Sequence, residues 1–303
     1  MKKTLAVFFS LCIALSLPSC GNKDNADNQV KTGTSSTQES LTPSLPAVSG
    51  SQTQKYAYNE SIYGCYSEGK KIYGRLFVPE TGEEKLPIVI MCHGMYNTHE
   101  SMEYLANKVA AQGIISYIFD FCGGAPGSKS TGKVTDMSPL TEREDLLTVI
   151  DTMKELENVD TSRIYLCGYS QGGYVAAATA ALRPDDISGL ILIAPAFHID
   201  ETARGYSSVD EIPEIINLNS LTMGKCYFAD VWDFYIYKEM KKYKKPVIIM
   251  HGDADTNVDV SYSKKAVKTF SDAKLTIMPG ATHILTDEEF DKVSDAVGTA
   301  VLG

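Results

Sequence analysis

Apolar and polar positions fall in blocks along most of this chain, and the blocks switch period in a regular way. LPIVIMC, residues 86–92, is a short unbroken apolar run of the kind that fills a strand buried on both faces. SMEYLANKVAAQ follows with helical spacing and stops at Gly113, after which IISYIF is again a buried strand. A glycine-rich segment, FCGGAPGSKSTG, leads to a helix announced by the capping-box pattern Thr141-Glu142-Arg143-Glu144, with Leu146, Ile150 and Met153 on one face. RIYLCG, GLILIA, PVIIM and KLTIM predict further strands. YVAAATAAL, AVKTF and a segment near residues 286–300 predict the helices between and after them.

Such alternation predicts an α/β architecture, a mostly parallel central sheet with helices on both faces, because parallel strands need crossover connections. Upstream, IYGCY and KIYGRLFV flank a Ser-Glu-Gly turn and predict a hairpin ending at Pro79, which adds antiparallel strands at one edge. One stretch breaks the pattern. Residues 196–245 are rich in Tyr, Phe, Asp and Ile with no clear sheet strand, and are expected to form a helix plus an inserted cap. A connection that long inside a domain is usually functional, and a lid over a site is the common case. No internal repeat is present.

The first residues have a different texture. Two lysines precede an apolar run from Leu5 to Leu17, then Pro18, Ser19 and Cys20. The run is shorter than the roughly 20 residues a bilayer-spanning helix needs, so residues 1–19 are expected to be an export signal peptide. Leu17-Pro18-Ser19-Cys20 resembles the lipobox of bacterial lipoproteins, which implies lipidation of Cys20 and a membrane anchor at the cell envelope or surface. From there to residue 55 the chain is mostly Asn, Asp, Lys, Ser, Thr and Gln, too polar to offset its own ordering entropy, and is expected to be a flexible tether. The folded domain is then residues 56–303.

Composition excludes several classes. The formal charge is −10, and the lysines are scattered apart from Lys238–Lys245, so no broad basic surface exists for nucleic acid. Beyond Cys12 and Cys20, five cysteines remain: Cys65, Cys92, Cys122, Cys167 and Cys226. Five cannot all pair. Cys92 and Cys167 lie in apolar runs, and no spacing matches a zinc site, so neither a disulfide framework nor a structural metal is expected, while pairing among Cys65, Cys122 and Cys226 stays open.

Candidate chemistry begins at Gly168-Tyr169-Ser170-Gln171-Gly172, a GxSxG motif that follows a buried strand and opens an alanine-rich helix. The flanking glycines let strand and helix approach around a strained serine. A serine hydroxyl needs a base and a group to orient that base. PVIIMHGDADTNV places Asp253 and Asp255 after one strand, and LTIMPGATHI places His283 after the next. Loops at the carboxyl ends of parallel strands converge on one sheet edge, so the expected set is Ser170, Asp255 and His283, with Asp253 the alternative acid and Asp259 further along the loop. His93, His99, His198 and His251 read as turn or surface residues. Backbone N–H groups of Met95, in His93-Gly94-Met95, and of Gln171 are the candidate oxyanion donors.

These residues resemble the α/β-hydrolase family, and within it the feruloyl and cinnamoyl esterase-like branch of bacterial serine esterases. The likeness runs from about Tyr63 to the C-terminus, through HGM at 93–95, FDFCGGAPGS, DTSRIYLCGYSQGGYVAAATAALRP, GLILIAPAF, YKEMKKYKKPVIIMHGDADTNV and GATHI. It implies an α/β-hydrolase fold and cofactor-free hydrolysis of a carboxylic ester, small or carried on an oligosaccharide, through an acyl-enzyme. In that branch the insert after the sixth core strand covers the acyl pocket, which makes Tyr227, Phe228, Asp230, Trp232, Asp233 and Tyr235 candidate substrate contacts. Two other readings stay open. One is a serine peptidase of the same fold; the other is a surface-attached binding lipoprotein without turnover. No oligomeric state follows from the sequence.

Overall fold

The computed structural model describes residues 55–67, 69–218 and 221–303. The expected signal, Cys20 and the tether up to residue 54 lie outside them. In chain order the elements are β1 (Tyr58–Ile62), β2 (Cys65–Ser67), β3 (Lys70–Ile72), β4 (Gly74–Pro79), β5 (Leu86–Cys92), α1 (Glu103–Ala110), β6 (Ile115–Phe119), α2 (Pro139–Lys154), β7 (Val159–Tyr169) and α3 (Gln171–Leu182). There follow β8 (Gly189–Ile193), α4 (Ile199–Ala203), β9 (Ile215–Leu218), β10 (Leu221–Gly224), α5 (Cys226–Ala229), α6 (Ile236–Glu239), β11 (Val247–Gly252), α7 (Val260–Val267), β12 (Ala273–Met278) and α8 (Asp287–Leu302).

Eight strands form the central sheet in the order β1-β4-β6-β5-β7-β8-β11-β12. Only β4 runs against the rest: its pairings with β1 and β6 are antiparallel, and every pairing from β6 to β12 is parallel. The unbroken apolar runs are explained by double-sided burial. Along β5, Ile88, Ile90 and Cys92 enter the core beneath α2 and α3, and Val89 and Met91 enter the core beneath α1 and α8. All seven β5 residues are buried. The chain leaves β5 for β6 on one side and returns to β7 on the other, so a crevice opens at the carboxyl ends of β5 and β7.

Three local expectations change. β2 and β3 pair in a separate two-stranded ribbon, and the edge strand of the main sheet is instead β1. The break comes at Tyr73, whose N–H is donated to Ser130 Oγ at 2.8 Å and whose carbonyl accepts from Asp120 N at 2.9 Å, taking it out of any hairpin ladder. The cap of α2 is Ser138, not Thr141: Ser138 Oγ accepts from Thr141 N at 3.1 Å, and Thr141 Oγ1 returns an acceptor to Ser138 N at 2.8 Å. Pro139 can occupy the first helical position because its missing N–H would be unpaired there anyway. Finally, the insert does contain strands, since β9 and β10 pair antiparallel as a hairpin outside the main sheet. The rest of its described residues form short helices joined by turns and irregular segments.

All five described cysteines, Cys65, Cys92, Cys122, Cys167 and Cys226, are free thiols. No helix among the described residues is long and apolar enough to cross a membrane.

Candidate active site

Ser170 stands between the last residue of β7 and the first of α3, with φ 55° and ψ −117°. For a residue with a Cβ this is strained backbone, held only where the surroundings over-determine it. They do so here. Ser170 N donates to Ile193 O of β8 at 2.9 Å, and Ser170 O accepts from Ala196 N at 2.9 Å and Gly173 N at 3.0 Å. The glycines answer a steric demand: a Cβ on Gly168 would lie 2.3 Å from Gly172 O, and one on Gly172 would lie 2.3 Å from Cys92 O. Two further residues with side chains adopt positive φ at neighbouring strand ends, Tyr96 at 58° and Ala194 at 42°.

The three residues expected to act together do meet. His283 Nε2 is 3.0 Å from Ser170 Oγ, and His283 Nδ1 is 2.7 Å from Asp255 Oδ2. A carboxylate accepts only, so Nδ1 carries the proton and Nε2 presents its lone pair to the serine hydroxyl. The Asp255 side chain is fully buried. Burial alone would push its carboxyl up, but hydrogen bonds from His251, His283 and the Val258 N–H outweigh it and hold the group well below the usual carboxylate range. Its Oδ1 accepts from Asn257 N at 2.8 Å and Val258 N at 2.9 Å. The other two acids have different work. Asp253 accepts from Gly280 N at 2.7 Å, and Asp259 caps α7 through Ser261 N at 2.7 Å.

The loop that carries His283 is pinned from below. The Tyr169 hydroxyl donates to His283 O, and the two rings stack with centroids 5.6 Å apart. Gly252 lets this loop reach the acid loop, since a Cβ there would lie 2.0 Å from Ala281 O.

Both candidate oxyanion donors border Ser170. Gln171 is the first residue of α3, where N–H groups have no intrahelical acceptor. Gly94 brings the other backbone alongside: a Cβ on it would be 3.3 Å from Ser170 Cβ, and Met95 follows directly.

The remaining histidines are not surface residues; His93, His99 and His251 are buried and His198 is half-buried. Burial pushes His93 down to about 4, and its neutral ring donates from Nδ1 to Gly94 O at 2.8 Å while Nε2 accepts from Phe121 N at 3.1 Å. His99 Nδ1 lies 2.6 Å from Asp120 Oδ1. His251 braces the acid loop: Nε2 lies 2.9 Å from Val258 O and 3.2 Å from Asp255 Oδ2, and Nδ1 is 2.7 Å from Ser263 Oγ. His198 is pushed down to about 4, first by burial and then by the charge of His283, so it lies within electrostatic reach of the site.

The six insert residues divide. Tyr227 is buried and its hydroxyl donates to Gln171 Oε1 at 2.7 Å, the one direct hydrogen bond from this group to the serine turn. Phe228 packs edge-on against Tyr227, and Trp232 Nε1 donates to Tyr206 O at 3.4 Å. Asp230 Oδ2 accepts from Ser138 Oγ at 2.5 Å. Asp233 is exposed, and Tyr235 is 47% exposed with the Arg204 guanidinium 4.5 Å over its ring. These last two lie at the surface.

Several residues here had not been singled out. Gln171 Nε2 donates to Glu142 Oε2 at 2.8 Å, and burial pushes the Glu142 carboxyl well above its usual range. Glu142 could have been noticed, because it stands on the same helical stripe as Leu146, Val149 and Met153. Tyr96 and the buried pair Tyr174 and Asp200, whose Tyr174 Oη and Asp200 Oδ1 have no hydrogen-bond partner, carried no such signal. No group of three or more His, Cys, Asp or Glu side chains among the described residues is placed to hold a metal ion.

Residues 83–225 match the family described as serine aminopeptidase, S33. The chain is 31% identical over 105 residues to an uncharacterized 31.7 kDa protein of Escherichia coli, covering 34% of this chain and 35% of that protein. It is 25% identical over 142 residues to the monoglyceride lipase of Homo sapiens, covering 47% and 45%. The chain thus spans less than half the length of these curated relatives. Over most of its length it is similar to the solved structure of Est1E from Butyrivibrio proteoclasticus with ferulic acid bound, at 28% identity and TM-score 0.73, covering 79% of this chain and 98% of that one.

Proposed function

On this α/β-hydrolase fold, we propose that the protein is a serine esterase that hydrolyses carboxylic esters through an acyl-enzyme. The observation that carries the reading is the line Ser170 Oγ, His283, Asp255, with contacts of 3.0 and 2.7 Å on the two ring nitrogens. His283 Nε2 takes the Ser170 proton as Oγ attacks the ester carbonyl. The developing oxyanion is met by the N–H groups of Met95 and Gln171, while Asp255 stabilises the imidazolium. His283 then gives its proton to the departing alkoxide, leaving Ser170 acylated. Water enters, loses a proton to the same nitrogen, and releases the acid.

The similarity to Est1E, solved with ferulic acid, supports a hydroxycinnamoyl acyl group or another small acyl group of similar width. The aromatic-rich insert fits that reading, since Tyr227 bonds the Gln171 side chain in the serine turn and Phe228 packs against Tyr227. The lipobox-like Leu17-Pro18-Ser19-Cys20 supports an enzyme held outside the cytoplasm by a lipid anchor. The matching family description favours one second reading, cleavage of an aminoacyl bond.

A panel of methyl ferulate, p-nitrophenyl acetate and butyrate, and an aminoacyl p-nitroanilide separates these. Turnover of the acetate and butyrate with none of methyl ferulate removes the hydroxycinnamoyl assignment. Turnover of the anilide alone replaces the esterase with a peptidase. Failure of a fluorophosphonate to label Ser170 removes both.

A further inference from the structure

The insert does not rest on the rest of the protein at random points. Its hairpin and the helix after it are fastened to the two segments that carry the candidate oxyanion donors, and each fastening is a tyrosine hydroxyl. Tyr96, which directly follows Met95, accepts from Thr222 N of β10 at 2.7 Å and donates to Thr222 O, so one side-chain oxygen holds both backbone groups of a single cap residue. Tyr227, in α5, donates to Gln171 Oε1 at 2.7 Å, and the other end of that amide is held by the buried Glu142 at 2.8 Å.

Tyr96 has φ 58°, a conformation costly for an aromatic residue and stable only while something external holds it. The pair of hydrogen bonds to Thr222 supplies that hold. Released, the residue gains by returning to negative φ, and that rotation moves the Met95–Tyr96 peptide beside the first donor. Between the two fastenings the cap is seated closely on the loop before α2: a Cβ on Gly224 would be 1.9 Å from Thr135 O, and Cys226 Sγ lies 3.3 Å from that same oxygen.

We infer that the cap sets the geometry of the oxyanion hole through Tyr96 and Tyr227, which act as positioning residues, so that cap seating and transition-state stabilisation are coupled. The inference rests on the serine esterase reading above. Neither hydroxyl need touch substrate. The prediction is therefore a loss in kcat without a matching change in KM, because a misplaced donor weakens only the charge that develops in the transition state. A lost oxyanion donor costs about 10²- to 10³-fold in kcat, and a shifted one less, on the order of tenfold.

The test uses the full chain and the variants Tyr96→Phe and Tyr227→Phe, with p-nitrophenyl butyrate as substrate and an alkyl trifluoromethyl ketone as the oxyanion-forming inhibitor. Each variant should lose about tenfold in kcat, keep KM within twofold, and lose ketone affinity in proportion to kcat. A melting curve shows whether each is folded. Should one variant fail to fold, the other probes the opposite donor and decides the matter alone. Unchanged kcat and ketone affinity overturn the coupling, as does a raised KM with kcat intact, which would make the cap a substrate-holding element only. Wild-type protein that neither labels with fluorophosphonate nor turns over the ester removes the esterase reading instead, and the coupling with it.

Discussion

Replacing Asp255 by Asn changes one atom and turns the site against itself. Four N–H donors converge on this carboxylate: Asn257 and Val258 on Oδ1 at 2.8 and 2.9 Å, and His283 and His251 on Oδ2 at 2.7 and 3.2 Å. An amide offers one acceptor oxygen and one NH₂. If the NH₂ faces the two backbone donors, neither can adapt, and each buried unpaired group costs about 1–3 kcal/mol. If it faces the imidazoles, His283 can adapt by accepting at Nδ1, and this is the cheaper arrangement. The proton then sits on Nε2, the nitrogen that must take the proton of Ser170. The expected loss is about 10³- to 10⁴-fold in kcat, equivalent to roughly 4–5.5 kcal/mol, with little change in KM. Initial rates on p-nitrophenyl butyrate measure it, with Asp253→Asn as the comparison, since that carboxylate bonds only the Gly280 N–H. The reasoning is refuted if Asp255→Asn keeps more than a tenth of wild-type kcat, or if the loss appears in Asp253→Asn instead. Stability supplies a second reading. The folded Asp255 carboxyl lies below its unfolded value near 3.9, so its contribution is complete above that pH and is lost as pH falls through the folded value. The gap in Tm between wild type and Asp255→Asn should therefore still be present at pH 5 and close only in stronger acid.

Ser170→Ala should abolish fluorophosphonate labelling and lower kcat by at least ~10³-fold, and residual activity within tenfold of wild type would reject Ser170 as nucleophile. Glu142→Gln should stabilise the protein above neutral pH. Because burial makes the folded Glu142 hold its proton to higher pH than the unfolded chain, ionisation favours unfolding as pH rises above about 4.3, and the neutral amide removes that penalty while its oxygen still accepts from Gln171. Thermal melts should show a gain at pH 8, by about 2–4 °C for each kcal/mol, and none at pH 4; equal Tm at both contradicts it. Gly172→Ala should destabilise by about 3 kcal/mol or more, since its Cβ would lie 2.3 Å from Cys92 O, at the end of β5, and 2.5 Å from His93 O, just beyond it, both of them backbone atoms. A urea midpoint within error of wild type would show that the two elements can separate at no cost.

The sheet and the serine–histidine–aspartate line were legible because each depends on short-range pattern. Double-sided burial writes an unbroken apolar run, and the turn after β7 demands Gly168 and Gly172 around Ser170. Asp255 could be preferred over Asp253 from position, but only the bonds to Gly280 and Ser261 show what Asp253 and Asp259 do instead. What stayed hidden was held by contacts distant in sequence. Nothing near His251 reveals that its ring serves Val258, Asp255 and Ser263 together, and nothing near Tyr96 points to Thr222. The hairpin of the insert was missed because strands of four residues outside the main sheet leave no apolar run, and the cap of α2 because Pro139 makes Ser138 the better N-terminal residue. Tyr235 and Asp233 are drawn in by the resemblance together with their residue type, and exposure sets them apart from Tyr227.

The three described residues with side chains at positive φ, Tyr96, Ser170 and Ala194, all stand beyond the carboxyl ends of neighbouring strands, on the rim where the proposed chemistry is placed. None of these conformations is one the local chain would choose. They persist because Ile193, Thr222 and Met250 bind backbone or side-chain groups from other elements around them. The geometry on which the proposed reactivity depends is accordingly a tertiary property with no local carrier: a peptide spanning the strand, the serine turn and the helix would relax out of the bend.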